Sequence, residues 1–142
     1  MEKVDALKKL LADHAIHYQR LRNFHWNVKG PLFYTLHQTF EDMYTQSALN
    51  VDAIAERILG LGHRPYSTYK EFLENTGLSE TSEQPKAREM VEMVINDLDH
   101  LIEQENDYHK LAEGDEATIN LLDDLIDMQE QDRWMLKAFI EE

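Results

Sequence analysis

The sequence predicts an all-α chain, a bundle of four long helices with a short fifth helix in the connection between the second and third. Two observations carry this. Only five Gly and three Pro occur in 142 residues, and most cluster between long stretches instead of interrupting them. Within those stretches apolar residues recur at steps of three and four, the period of one helical face.

The first helix runs from Val4 to about Val28 on the stripe Val4, Leu7, Leu11, His14, Tyr18, Leu21 and His25. Lys29-Gly30-Pro31 ends it, because Gly frees the cap and Pro cannot continue the ladder. The second runs from about Leu32 to Leu59 with Leu36, Phe40, Tyr44, Val51, Ala55 and Ile58 as its stripe, and Gly60, Gly62 and Pro65 stop it. Thr68 followed by Glu71 reads as a capping box opening a short helix, Tyr69 to Glu74, that stops near Gly77. A third long helix starts between Ser82 and Gln84, carries Met90, Val94, Leu98, Leu101 and Ile102, and ends at Gly114. The fourth begins at Asp115 or Thr118 and continues through Leu121, Leu122, Leu125, Met128, Trp134 and Leu136 to the C-terminus. No repeat, linker or low-complexity segment divides the chain, so residues 1–142 form one domain. The Gly60–Ser82 connection is long enough to carry the chain along the bundle, so the second and third long helices need not be antiparallel neighbours.

Composition bounds the chemistry. With no Cys, a disulfide scaffold, a thiolate metal site and a Cys nucleophile are excluded. An apolar content of 42% argues against disorder. No run approaches the roughly 18 apolar residues of a membrane span, and Met1 to Asp5 does not open a secretory signal, so a cytoplasmic protein is expected. The 28 acidic side chains against 14 basic ones give a net charge of −14. Most of that excess serves solubility, but it also repels phosphate backbones and anionic membranes and attracts cations.

The second helix holds the constellation with chemical content. At about 100° per residue, His37, Glu41, Asp52 and Glu56 fall near 0°, 40°, 60° and 100°, one continuous arc about 90° from the apolar stripe. They flank the core where a neighbouring helix or subunit packs. His37 and Asp52 are fifteen positions apart, about 22 Å along a straight helix. One metal ion cannot touch both. Two copies of the helix packed antiparallel about a two-fold near residues 46–47 bring each pair against the partner's other pair, making two identical intersubunit sites. Gln38, Thr45 and Leu49 lie near the same arc and are placed to pack across that axis. His25, at the end of the first helix, is the natural third contributor from the subunit that supplies His37. Imidazole with carboxylates and no thiolate suits Fe(II), Mn(II) or Zn(II), and a carboxylate-rich open site favours redox iron chemistry.

These residues carry a resemblance. Asn23-Phe-His-Trp-Asn-Val-Lys-Gly30, Phe33-x-x-Leu-His37, Asp52-x-x-Ala-Glu-Arg-Ile58 and Leu61-Gly62 resemble the Dps family, the mini-ferritins named for a DNA-binding protein from starved cells. The match spans essentially the whole chain, to the Trp134–Phe139 ending. The resemblance implies a ferritin-like four-helix bundle assembled into a twelve-subunit shell, with a ferroxidase centre at each end of each two-fold interface. It implies that His25, His37 and the acid at position 41 come from one subunit, and Asp52 and Glu56 from its neighbour. Many members carry Asp at position 41; Glu41 reaches one methylene further, which bears on the second, weaker iron position. The implied reaction is oxidation of Fe(II) by hydrogen peroxide, or by dioxygen, followed by storage of ferric iron inside the shell and protection against oxidative damage. Trp26, beside His25, reads as a packed interface aromatic, with capture of a stray oxidising equivalent as its alternative role.

The remaining His have quieter expectations. His14 and His17 are expected buried and hydrogen-bonded, His100 and His109 on a solvated acidic face within reach of iron in transit, and His63 in a loop. From Asp97 to Asp132 thirteen acids face one basic residue, Lys110. Most are solvated surface; the resemblance implies that a three-fold pore is lined near the start of the last helix, which makes Asp115, Asp123, Asp124 and Asp127 its candidates. Gln38, Glu41 and Asp42 are candidates for an inner nucleation surface. Three other functions compete with this reading. An intrachain di-iron bundle places Glu-x-x-His on two helices, and here the nearest approach is Asp97-Leu-Asp-His100. DNA compaction in the family relies on Lys-rich flexible tails, whereas Lys3, Lys8 and Lys9 are few and lie on a helix starting within about four residues of Met1, and the C-terminus reads Ile140-Glu-Glu142. DNA binding is not expected. A purely structural helical oligomer leaves the His and acid arc unexplained.

Overall fold

The computed structural model describes residues 2–141. Five helices and no strand occur among them: α1 (Lys3–Asn27), α2 (Phe33–Gly60), α3 (Tyr69–Asn75), α4 (Ala87–Leu111) and α5 (Glu116–Ile140). Polar contacts give their directions. His14 meets Glu105 and His17 meets Asp97, so α1 and α4 are antiparallel. Glu105 meets Gln129 and Asp99 meets Arg133, so α4 and α5 are antiparallel. The short turn at residues 28–32 makes α1 and α2 an antiparallel hairpin. It follows that α2 and α4 run parallel, which the long connection through α3 makes possible.

The predicted boundaries hold to within a residue or two except on the third long helix, which ends at Leu111, short of Gly114, and the expected stripe of α2 is adjusted. The third long helix begins at Ala87, not between 82 and 84. Pro85 disfavours helical backbone at the residue before it, and the Lys86 N–H donates to Glu89 Oε1 at 3.3 Å to open the helix there. On α2 the buried line is Leu36, Phe40, Ser47, Ile54 and Ile58, while Tyr44, Val51 and Ala55 are only partly covered. α2 packs mainly on α1 and little on α5, so its flank stays open. The short helix forms as read: Thr68 Oγ1 accepts from the Glu71 N–H at 3.1 Å, and Glu71 Oε1 accepts from the Thr68 N–H at 3.2 Å.

Two apolar clusters fill the bundle. One centres on Leu7, Leu10, Leu11, Ile54, Ile58, Leu101, Leu122 and Leu125, the other on Leu21, Phe24, Leu36, Phe40, Met90, Val94, Leu98 and Leu136. On α1 they are separated by residues 13–20, which carry a buried polar layer. His14 Nε2 donates to Glu105 Oε2 at 2.9 Å, and the Gln129 amide donates to the other Glu105 oxygen. Asp97 Oδ2 accepts from His17 Nδ1 at 3.0 Å and from Arg20 Nε at 2.7 Å. Asp13, fully buried, accepts from Thr76 Oγ1, the Gly77 N–H and His100 Nε2, pinning the segment after α3 to α1 and α4. The buried carboxylates here each meet complementary donors, as a low-dielectric interior requires, while His14 Nδ1 is left without a hydrogen-bond partner.

Candidate metal centre

The last turn of α1 and the first turns of α2 bring His25 and His37 together, because the turn at 28–32 reverses the chain through Gly30 at φ 97°, a conformation that favours Gly. The two imidazoles stack with centroids 3.8 Å apart and planes 15° from parallel. Each ring also bonds the other's backbone: His25 Nδ1 lies 2.7 Å from the His37 carbonyl, and His37 Nδ1 lies 2.7 Å from the His25 carbonyl. A carbonyl only accepts, so both Nδ1 atoms carry the proton. Both Nε2 atoms are thereby left with a lone pair in the neutral ring. This is the arrangement in which an outer hydrogen bond sets the tautomer and aim of a metal-binding His.

Other groups frame the pair. Glu41, half exposed, sets Oε1 at 3.8 Å from His25 Nε2, too long for a hydrogen bond and within range of a shared cation. Gln38 donates to Asp42 Oδ1 at 2.8 Å and more weakly to Glu41 Oε2 at 3.5 Å, so the acids proposed for a nucleation surface are linked by one amide. Phe33 stacks on His37 at 4.8 Å, and Tyr44 meets His25 edge-on at 5.2 Å. Aromatic walls thus hold two nitrogens toward an acidic opening.

Asp52 and Glu56 are exposed together on the same helix. A hydrogen bond that the protonated Glu56 carboxyl gives to Asp52, and the Asp52 charge, push the Glu56 carboxyl above its usual range. Two carboxyls in this state gain from a cation placed between them. α2 runs unbroken through both pairs, so they stay about 22 Å apart. The structure unites His25, His37 and Glu41 at one end of α2 and Asp52 with Glu56 toward the other; it does not unite all five. Among the described residues of one chain, no group of three or more His, Cys, Asp and Glu side chains is arranged to hold a metal. Each end offers part of a coordination set.

The remaining candidates sort by their partners. His14 and His17 are buried and hydrogen-bonded, as read from the stripe. His100 departs from expectation: its Nε2 is 2.8 Å from buried Asp13, so it belongs to the interhelical network instead of a solvated face. His109 pairs with Asp123 at 3.0 Å on the surface, and His63 is exposed in its loop. Asp115 spends its carboxylate on structure: it accepts from the Thr118 hydroxyl at 2.6 Å and N–H at 3.2 Å and pairs with Lys3 and Arg57. The Thr118 hydroxyl first, then Lys3 and Arg57, hold its carboxyl far below the ordinary range. Asp124 and Asp127 are exposed on α5. Sequence reasoning missed Tyr44, which period three-to-four placed on the core stripe. Its signal was its position one turn beyond Glu41.

Comparison with known proteins agrees with this architecture. The Ferritin-like domain family matches residues 4–142. The DNA protection during starvation protein 2 of Bacillus anthracis is 40% identical over 139 residues, 96% of this chain and 95% of its own length. A Dps protein from Bacillus brevis superposes with a TM-score of 0.96 at 38% identity, covering 98% of this chain and 95% of that one. The Dps of Vibrio cholerae O1, described as a member of a broad superfamily of ferritin-like diiron-carboxylate proteins, superposes at 0.95 with 35% identity over 98% and 89% of the two chains. A match over essentially the full length, in sequence and in backbone, has one reading: the chain belongs to the Dps family of ferritin-like proteins.

Proposed function

We propose that this protein is a ferroxidase of the Dps type, which oxidises Fe(II) with hydrogen peroxide and stores the ferric product inside a twelve-subunit shell in the cytoplasm. The observation that carries the reading is the reciprocal His25–His37 carbonyl bonding, which aims two unprotonated Nε2 atoms at the opening beside Glu41. Packing polar rings this way serves no purpose in a core, where His14 and His17 instead meet carboxylates. The complementary half is the exposed Asp52–Glu56 pair. A two-fold near residues 46–47 joins each half to its counterpart on a neighbouring subunit, and Leu49, exposed at 61% in the single chain, lies beside that axis.

In this reading Fe(II) is the substrate. His25 and His37 bind it through Nε2, Glu41 adds a carboxylate from the same subunit, and Asp52 and Glu56 bind or bridge from the neighbour. Two Fe(II) ions at one site supply the two electrons that reduce peroxide to two waters, so no hydroxyl radical is released. The protection named for the relatives in Bacillus anthracis and Helicobacter pylori then follows from consuming Fe(II) and peroxide. It needs no grip on nucleic acid, which a chain of net charge −14 repels.

Anaerobic titration with Fe(II) followed by a peroxide pulse tests this on the wild type and on Asp52→Ala. The variant is expected to assemble at wild-type size and to oxidise iron about 100-fold more slowly, since even outer-shell changes at metal sites cost 10–100-fold. Equal rates would remove Asp52 from the site. A monomer or a simple dimer in solution would contradict the shell.

A further inference from the structure

Glu41 stands four residues after His37 on α2, one turn further along the same face. Side chains on a helix lean toward its N-terminus, so the default reach of Glu41 is to the His37 ring. The structure pairs it differently. Glu41 Oε1 lies 3.8 Å from Nε2 of His25, on the other helix of the hairpin. Among the described residues no carboxylate pairs with the His37 ring, whose Nδ1 is held by the His25 carbonyl. The other Glu41 oxygen receives a weak 3.5 Å bond from Gln38, whose amide sits closer to Asp42 at 2.8 Å.

The stacking of the two imidazoles gives this choice a consequence. A metal ion lies in the plane of the imidazole that binds it, along the nitrogen lone pair and about 2 Å away. The His25 and His37 planes are 15° from parallel with centroids 3.8 Å apart, so they converge only far beyond that distance. One ion cannot stand in line with both nitrogens. Each ring therefore serves its own ion, and the Glu41 carboxylate is allotted to one of them. An ion bonded to His25 at about 2 Å is also within reach of Glu41 Oε1, because the 3.8 Å gap is close to the span of two such bonds. The remaining neighbour of the His37 ring is Phe33, stacked at 4.8 Å, which offers no ligand.

We infer that Glu41 is the carboxylate of the ion held by His25, and not of the ion held by His37. The inference rests on the ferroxidase reading above and allots partners within that site. One chain then supplies a nitrogen and a carboxylate to the first ion but a nitrogen alone to the second. The second ion draws its carboxylates from the neighbouring subunit. Side-chain length makes the difference: the extra methylene of Glu carries the oxygen across from α2 to α1, whereas the shorter Asp would hold it over its own helix.

The probe is Co(II) alone, titrated anaerobically into the assembled protein and followed by its visible absorption. Wild type is expected to take two ions per site. Glu41→Gln should weaken one of them about 100-fold, since even outer-shell partners of a metal are worth 10–100-fold, and leave the other nearly unchanged. His25→Ala removes that same ion. The double variant Glu41→Gln with His25→Ala therefore binds as His25→Ala does, while Glu41→Gln with His37→Ala loses both ions. Each imidazole is tethered to a backbone carbonyl that Ala retains, so either variant keeps the tether of the remaining ring. Anomalous diffraction from wild-type crystals saturated with Co(II) reads the assignment without any variant: Glu41 is expected on the ion that His25 binds. Glu41 bonded to the His37 ion, weakening of that ion or of both equally in Glu41→Gln, or one ion shared by the two rings overturns the assignment. Co(II) binding that neither His25→Ala nor His37→Ala disturbs overturns the ferroxidase reading itself.

Discussion

Two sets of buried or half-buried histidines, one in the middle of α1 and one where the end of α1 meets the start of α2, have opposite fates. In the middle of α1, His14 and His17 each direct a ring nitrogen at a buried carboxylate, Glu105 and Asp97, and those acids are further met by Gln129 and Arg20. At the end of α1, His25 and its partner His37 direct a nitrogen at backbone carbonyls instead. The first set is closed: each carboxylate is met by two donors across the bundle, and the nitrogen left over, His14 Nδ1, is sealed in the interior away from any ligand. The second is open, because a carbonyl fixes the ring and leaves its far nitrogen unspent. A histidine poised for a ligand is recognised by the bond that holds it and by the atom that bond leaves over.

Mutation separates the two sets. Glu105→Ala strikes the closed layer hardest, since it strips His14 and Gln129 of their shared acceptor in a fully buried place. Loss of one partner from such a pair costs about 3–5 kcal/mol, which denaturant unfolding will record, while the folded fraction keeps its iron oxidation. His37→Ala should do the reverse. Oxidation falls roughly 10–100-fold and thermal stability changes little; a large drop in melting temperature would erase the distinction between open and closed. Asp115→Ala probes a closed carboxylate at the surface end of the bundle and is expected to cost about 1–2 kcal/mol through the lost α5 cap, with no change in iron chemistry. The smallest effect concerns the α3 cap. Arg64, then the Ser67 N–H, lower the Glu71 carboxyl to about 2. Its folded value lies below an ordinary Glu near 4.3, so its contribution is present above about pH 4 and is lost as pH falls toward 2. Titration of the Glu71 side-chain carbon by NMR checks this, and a midpoint near 4 would show the cap to be absent in solution.

Much of this was legible in the residues. The helix periods, the Gly30, Gly62 and Gly114 punctuation and the Thr68–Glu71 box placed all five helices; the two ends of the third long helix were misjudged, its start because Pro85 acts on the residue before it and its end because the helix stops at Leu111, a few residues before the glycine. The arc of His37, Glu41, Asp52 and Glu56 and its division into two ends follow from a 1.5 Å rise per residue. What the pattern could not carry is side-chain detail across helices. His100 reads as exposed from its own helix and is claimed by Asp13 from another. Asp115 reads as a pore candidate from the family resemblance, and the structure draws it into a cap with Thr118, Lys3 and Arg57. Tyr44 sits on the apolar stripe by count, yet the flank of α2 is open, so the ring turns to His25.

The turn at residues 28–32 joins the two helices whose ends hold the reciprocal histidine bonds. Surface connections ordinarily accept insertions and deletions at little cost. One residue added on the α2 side and not absorbed by the turn would rotate that helix by about 100°, carrying His37 off the His25 ring and Leu36 and Phe40 off the core together. The length of this loop is thus tied at once to the histidine pairing and to the packing of the hairpin. Variation in the length of this turn is therefore expected to register in stability as well as at the candidate site.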